Sequence, residues 1–173
     1  MRREPNAFWT YSLSLYRRSG VADACLALQE RCGADVNLLL YCCWLGQSGR
    51  ALDKRALRAA IAVVSRWQAQ VVKPVRQARR ALKHPPDRLP ADWAEQLRKR
   101  IGALELDLEY LEQHLLADAA LALPPTSRSQ SPRTAAAASL ARYLALLGVA
   151  PGQGDAQIAI LLDACCGGAD QKR

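Results

Sequence analysis

The chain has 173 residues, half of them apolar, and carries a formal net charge of +8. This length suits a single domain with its own core, and the apolar content excludes a wholly disordered chain. No apolar run reaches the roughly 18 residues that a membrane-spanning helix needs, and the first apolar stretch, AFWTYSLSLY, lacks the features of a signal peptide. We therefore expect a soluble cytoplasmic protein whose six cysteines are reduced thiols.

The spacing of the apolar residues predicts an all-α fold. They recur at steps of three and four along most of the chain, as in amphipathic helices. Asp35 and Asp53 are natural N-caps, Gly33 is a natural stop signal, and Ser131 or Thr134 precedes a later helix. The predicted helices cover residues 6–18, 21–32, 36–47, 54–83, 92–122, 135–147 and 155–166.

The two longest predicted helices carry heptad seams. The first seam runs through Leu57, Ile61, Val64, Gln68, Val71, Val75, Ala78 and Leu82. The second runs through Leu97, Ile101, Leu104, Leu108, Leu111 and Leu115. A short proline-rich turn joins the two helices, so we expect an antiparallel hairpin whose stripes form core, although heptad seams close either within one chain or between two. Pro74 predicts a kink or break near residues 70–73.

These elements predict a single-domain helical bundle of about six to seven helices with a long antiparallel helical hairpin. The expected parts are N-terminal helices in 6–83, the second hairpin arm in 84–122, a flexible Pro/Ser-rich loop in 123–134, C-terminal helices in 135–166 and a frayed tail in 167–173.

Positive charge is concentrated in one part of the chain. Residues 50–100 contain 14 Lys and Arg against 4 Asp and Glu, whereas residues 101–126 contain 5 acidic residues and no Lys or Arg. The folded hairpin would bring basic residues of both arms to one end: Lys73, Arg76, Arg79, Arg80, Lys83, Arg98, Lys99 and Arg100. We call this set the basic hairpin tip. It suits an acidic protein partner or nucleic-acid phosphates, and a solvated arginine-rich face is the third interpretation.

The segment GADVNLLLYCCWLG, residues 33–46, places a polar residue, Asn37, beside an apolar run. A buried amide must find hydrogen-bond partners. We therefore interpret Asn37, with Gln29 on the preceding helix, first as a polar clamp that fixes how helices 21–32 and 36–47 pack. The alternative is a small-molecule pocket between helices, lined by Trp9, Tyr11, Gln29, Asn37, Tyr41 and Trp44.

The cysteines lack the paired C-x2–4-C spacing of structural zinc sites. They are Cys25, Cys32, Cys42, Cys43, Cys165 and Cys166. We expect them to pack as small apolar residues, with one member of each adjacent pair facing inward and the other sideways. The alternatives are a metal or cluster site and a thiol switch. No metal site, cofactor or catalytic residue is predicted.

One helix face combines a histidine with several carboxylates. It holds Glu105, Glu109, Glu112, His114 and Asp118. Such a group could bind a metal or move a proton, but we interpret it as a solvated acidic face opposite the leucine seam. On this interpretation its carboxylates pair with arginines of the neighbouring helix, Arg55, Arg58 and Arg66.

Several short motifs resemble those of a known family. They are FW at 8–9, YSL at 11–13, LY at 15–16, CL at 25–26, LQ at 28–29, DVNLL at 35–39 and WLG at 44–46, with Gly33 and Gly49, and they continue through Trp67, VV at 71–72, Pro74, RR at 79–80 and LK at 82–83. Over residues 6–83 the chain thus resembles an uncharacterised family of small helical cytoplasmic proteins of proteobacteria. The resemblance implies a bacterial helical protein and transfers no catalytic role to any residue.

Three functional hypotheses follow. The first is a non-catalytic interaction or adaptor protein that docks on a protein partner through the basic hairpin tip, and for that reason we favour a protein that is not an enzyme. The second is a nucleic-acid-binding regulator that uses the same patch. The third is a small-molecule-binding or enzymatic pocket around Asn37, for which a buried cavity facing Gln29 and Asn37 is the discriminating feature. The oligomeric state is left open.

Overall fold

A bundle of α-helices accounts for most of the chain in the computed structural model, which describes residues 6–124 and 130–167. The helices are α1 Ala7–Tyr16, α2 Val21–Cys32, α3 Val36–Gln47, α4 Lys54–Trp67, α5 Lys73–Ala81, α6 Ala91–Leu121, α7 Pro132–Leu146 and α8 Asp155–Cys166. A π-helical segment, Gln68–Val72, joins α4 to α5, so these run on as one helix and make seven continuous helices within the described ranges. The predicted all-α single domain and its long hairpin are confirmed. Residues 125–129 of the predicted loop and the tail from 168 onward lie outside the described residues, and residues 132–134 of that loop belong to α7.

Side-chain caps define where four of the helices begin, and at α1 the Asn6 side chain accepts the N–H groups of Phe8 and Trp9. The Asp35 carboxylate accepts the N–H groups of Asn37 and Leu38, and the Asp53 carboxylate accepts the N–H of Ala56, as predicted. For α7 the cap is Ser131 rather than Thr134, so this helix begins three residues before the predicted position. Each cap satisfies backbone donors that the first helical turn leaves unpaired.

Helix α3 lies at the centre of the bundle and is buried on nearly every side. Gly46 permits close contact with α7, because a Cβ at this position would lie 2.6 Å from the Cβ of Ala136. Cys42 and Cys43 are both fully buried. The prediction that one member of this pair faces sideways is therefore wrong, because neighbouring helices surround α3.

Pro74 perturbs the long helix at the predicted place. Proline lacks the backbone N–H that would close a regular turn. The chain forms a π-helical turn just before it, in which the Lys73 N–H donates to the Gln68 carbonyl, five residues back. Such a turn holds one residue more than an α-helical turn, so all later side chains are rotated by one position.

The rotation changes which face of α5 meets α6. Val72 is fully buried, whereas the predicted seam residue Ala78 is exposed. Arg76 and Arg79 point toward α6 and form ion pairs with it. The predicted seam is therefore wrong beyond Gln68. Pro74 indicates a break in the helix, but the spacing of the apolar residues does not show that the π-helical turn holds one extra residue.

The leucine stripe predicted as the core face of α6 is mostly exposed. Leu97, Leu104 and Leu115 are 44%, 47% and 39% exposed, while Leu108 is buried. The buried face of α6 instead contains polar residues that the sequence analysis placed in solvent or did not consider, namely Glu105, Glu112 and Gln113. None of the helices in the described part of the chain is long and apolar enough to cross a membrane.

Candidate functional site

A cavity of about 660 Å³ lies between the hairpin and the N-terminal helices. Helices α1, α2, α3, α4, α5, α6 and α7 all contribute to its walls. Trp9, Tyr16 and Leu38 supply aromatic and apolar surface, whereas Asn37 and Gln113 supply amide groups. A concave apolar site with a few placed polar groups is the usual form of a small-molecule site.

One wall of the cavity consists of ion pairs between α5 and α6. The Arg76 guanidinium donates to Glu109 Oε1 at 3.0 Å and to Gln29 Oε1 at 2.9 Å. Arg79 Nε donates to Glu105 Oε1 at 2.7 Å, and the Glu105 side chain is 9% exposed. Burial raises the pKa of Glu109, and the charge of Arg76 opposes that effect. The wall therefore offers both charges in a partly desolvated setting, where charged hydrogen bonds are strong.

Two carboxyl groups, Asp35 and Glu112, meet below the cavity. Glu112 is fully buried, and its Oε2 accepts a hydrogen bond from Gln68 Nε2 at 2.6 Å. Burial, together with the nearby charge of Asp35, raises the pKa of Glu112 to about 8. Burial also raises the pKa of Asp35. At neutral pH Glu112 is thus the protonated member of the pair, and Asp35, which accepts two backbone N–H groups, is the ionised member.

The amides of the cavity form a second polar cluster. Gln113 Nε2 donates to Asn37 Oδ1 at 2.7 Å, so Asn37 connects α3 to α6. We predicted that Asn37 and Gln29 would hold α2 and α3 together, and this is wrong because Asn37 pairs with α6. Gln29 instead accepts a hydrogen bond from Arg76 of α5. Gln113 Oε1 and Ser12 Oγ are buried and have no hydrogen-bond partner in the described residues. Such groups are uncommon in native structures, and each is costly without a partner.

The cavity brings together half of the predicted pocket residues. Trp9, Gln29 and Asn37 line it. Tyr41 and Trp44 do not, because they pack around Phe8 in the core, with ring centroids 5.6 and 5.0 Å from that ring. Tyr11 lines a separate cavity of about 420 Å³ beside α8.

The basic hairpin tip is divided between two environments. Its α5 members Lys73, Arg76, Arg79 and Arg80 line the cavity. On α6, Arg98 pairs with Glu95 at 2.6 Å, and Lys99 lies 3.8 Å from the same carboxylate. Lys83 and Arg100 are exposed. The α5 members therefore face the cavity, whereas two of the α6 members pair with Glu95.

The predicted solvated acidic face is wrong for its glutamates. Glu105 and Glu109 pair with arginines of α5 rather than with Arg55, Arg58 or Arg66, because the π-helical turn directs Arg76 and Arg79 at them. His114 and Asp118, 3.9 Å apart, do remain exposed. No group of His, Cys, Asp or Glu suited to a metal ion was found in the ranges that the structure describes.

The sequence analysis assigned Glu105, Glu109, Glu112 and Gln113 to no site. The residue numbers of the two hairpin arms could have predicted these ion pairs. In an antiparallel hairpin, a residue further along the first arm faces a residue earlier in the second arm. Arg76 therefore faces Glu109, and Arg79, three residues later, faces Glu105, four residues earlier.

Comparison with known proteins identifies the family. Residues 7–116 match the family described as "Protein of unknown function (DUF2390)", which is 110 of the 173 residues. The chain belongs to this family. The match includes α1 to α5 and most of α6, and therefore almost the whole cavity lining except its α7 residues Tyr143 and Leu147. No curated protein and no solved structure matches the chain.

Proposed function

We propose that this protein binds a small polar molecule in the cavity between the hairpin and the N-terminal helices. The observation that carries the proposal is a cavity of about 660 Å³ that faces both Gln29 and Asn37 and has buried polar atoms without protein partners in its lining. A purely structural clamp would satisfy its own donors and acceptors and would need no space beside them. The unpartnered Gln113 Oε1 and Ser12 Oγ therefore favour a pocket over a clamp.

The lining suggests the chemistry of the ligand. Gln113 Oε1 and the Asp35 carboxylate accept hydrogen bonds, so the ligand needs donor groups on one side. Trp9 and Tyr16 offer aromatic surface, which suits an apolar or ring-shaped part. A small molecule with hydrogen-bond donors at one end and an apolar part at the other fits this arrangement. The proposal concerns binding and assigns no reaction.

Native purification tests the proposal. The full chain would be isolated without denaturation, and small molecules released from it would be identified by mass spectrometry. Gln113→Met keeps the length of the side chain but removes its hydrogen-bonding amide. Gln96→Met makes the same change at an exposed position of α6 and is the matched control.

The proposal predicts that one small molecule copurifies with the wild type and with Gln96→Met but not with Gln113→Met. Equal recovery from all three proteins would contradict it. So would the absence of any bound molecule, together with no thermal shift of the wild type across a library of polar metabolites.

Docking on a protein or on nucleic acid through the basic hairpin tip stays a prediction with less support, because Arg76 and Arg79 already pair with α6 glutamates. The bacterial cytoplasm is the location we propose. The thiols of the core are compatible with a reducing compartment.

A further inference from the structure

We infer that two copies of this chain pair through an exposed apolar stripe on α6, with the two helices antiparallel about a two-fold axis at Leu104. The stripe consists of Trp93, Leu97, Leu104, Leu111 and Leu115. Trp93 is 64% exposed, Leu97 44%, Leu104 47% and Leu115 39%, and Leu111 is half-buried. We call this set the α6 stripe.

The α6 stripe is a single face of a long helix. At about 100° per residue, its five positions fall within about 40° of one another around the helix axis. Helix α6 has 31 residues, so it is about 46 Å long, and the stripe follows it for most of that length. Scattered surface leucines need no explanation, but a continuous apolar stripe on one helix is typical of a contact surface.

The spacing of the α6 stripe indicates a second copy rather than an unrelated partner. Leu97 and Leu111 are each seven residues from Leu104, on either side, and Trp93 and Leu115 are each eleven residues from it. In an antiparallel pair centred on Leu104, Trp93 of one copy meets Leu115 of the other and Leu97 meets Leu111. Leu104 meets its own equivalent. A two-fold contact requires this kind of self-complementary surface.

The charges along α6 favour the same orientation. Residues 98–100 are all basic, whereas residues 101–121 contain five acidic residues and no Lys or Arg. Arg98 and Lys99 pair with Glu95, and Glu105, Glu109 and Glu112 face α4 and α5 within the chain, so Arg100 and Asp107 are the charges beside the stripe that bear on the orientation. Arg100 and Asp107 lie on the same flank of the α6 stripe, four residues before Leu104 and three residues after it, so each Arg100 lies near Asp107 of the other copy.

Part of the heptad seam of this helix has the same explanation. A seam with steps of four and three is the pattern of a helix that packs along another helix for many turns. Within its own chain, α6 contacts α4 and α5 through a face that holds Glu105, Glu112 and the seam residue Leu108. The remaining leucines of the seam, Leu97, Leu104, Leu111 and Leu115, are left for a contact between chains.

Sedimentation velocity on the full chain over a wide concentration range tests the inference. We expect the wild type to form a concentration-dependent dimer. Leu104→Glu places two like charges on the two-fold axis and should weaken the dimer at least about 100-fold. Val63→Glu introduces the same charge at an apolar residue of α4 that is 41% exposed, and it should leave the dimer unchanged.

A charge exchange tests the orientation. Arg100→Glu should weaken the dimer, and adding Asp107→Arg to it should restore the dimer, because the two positions then meet with reversed charges. A wild type that is monomeric at every concentration overturns the inference, as does a Leu104→Glu variant that dimerises like the wild type. Circular dichroism establishes that each variant keeps the helical fold.

Discussion

Removing the carboxyl group of Glu112 should flatten the pH dependence of stability. The pKa of Glu112 is about 8 in the folded protein and 4.5 in an ordinary setting. The folded chain therefore holds a proton on this group that the unfolded chain has already lost at neutral pH. A carboxyl group with a raised pKa contributes no penalty below about pH 4.5, and its cost grows as pH rises toward 8.

The size of the effect follows from the two pKa values. Between them, stability falls by up to about 1.4 kcal/mol for each pH unit. Integrated from pH 6 to pH 8, the loss is about 2 kcal/mol, since the folded protein begins to release the proton near pH 8. For a domain of this size that corresponds to roughly 4–8 °C in Tm.

Glu112→Gln imitates the protonated carboxyl group at every pH. It is uncharged, and its carbonyl oxygen can accept the Gln68 Nε2–H as the Glu112 carboxyl oxygen does. We expect this variant to lose about 2 kcal/mol less stability than the wild type between pH 6 and pH 8. All other titrating groups are common to both proteins, so the difference between their curves reports Glu112 and its coupling to Asp35.

Urea denaturation at pH 6, 7 and 8 provides the measurement. Glu95→Gln is the control, because Arg98 lowers the pKa of Glu95 and this carboxyl group does not titrate between pH 6 and pH 8. Its curve should run parallel to that of the wild type. If the Glu112→Gln curve is also parallel, Glu112 does not hold the proton, and the argument for a one-proton carboxyl pair is wrong.

Three further outcomes are expected. Gly46→Ala should lower the free energy of unfolding by about 1–3 kcal/mol, because the added methyl group would lie 2.8 Å from backbone atoms of α7. Gly102→Ala should raise the free energy of unfolding by about 0.5–1 kcal/mol, because alanine has the higher helix propensity. Thermal melts that place both variants on the same side of the wild type would refute this. Ser139→Ala should cost about 1–3 kcal/mol in urea denaturation, because the Leu52 N–H then loses its 2.9 Å acceptor; an unchanged denaturation midpoint would contradict this. Among the buried thiols, Cys165 should react first with a disulfide reagent in the native state, because a hydrogen bond from a neighbouring thiol lowers its pKa to about 7. Mass spectrometry of the labelled peptides identifies the site, and labelling of Cys25, Cys42 or Cys43 before Cys165 would count against the assignment.

The number and order of the helices could be predicted from the sequence because local signals define them. Asp35, Asp53 and the glycine stops each act within one helical turn. Periodicity then gave the correct helix limits to within a few residues, and the proline-rich turn gave the hairpin.

The orientation of the hairpin faces could not be predicted in the same way. On α6 the leucine stripe is a stronger pattern than the polar face, and apolar burial is the usual rule. Here the polar face is buried, because Gln68, Arg76 and Arg79 supply partners for its carboxylates. That compensation depends on contacts between distant parts of the chain, which a pattern within one helix cannot contain.

The π-helical turn before Pro74 determines which face of α5 lines the cavity. If Gln68–Val72 formed a regular α-helix with no residue removed, α5 would be rotated by about 100° and Ala78 would lie near the position that Arg79 now occupies. The charged wall would then become largely apolar although no side chain of α5 had changed. In this protein a local irregularity of the backbone, and not only the identity of the side chains, thus gives the cavity its charged wall.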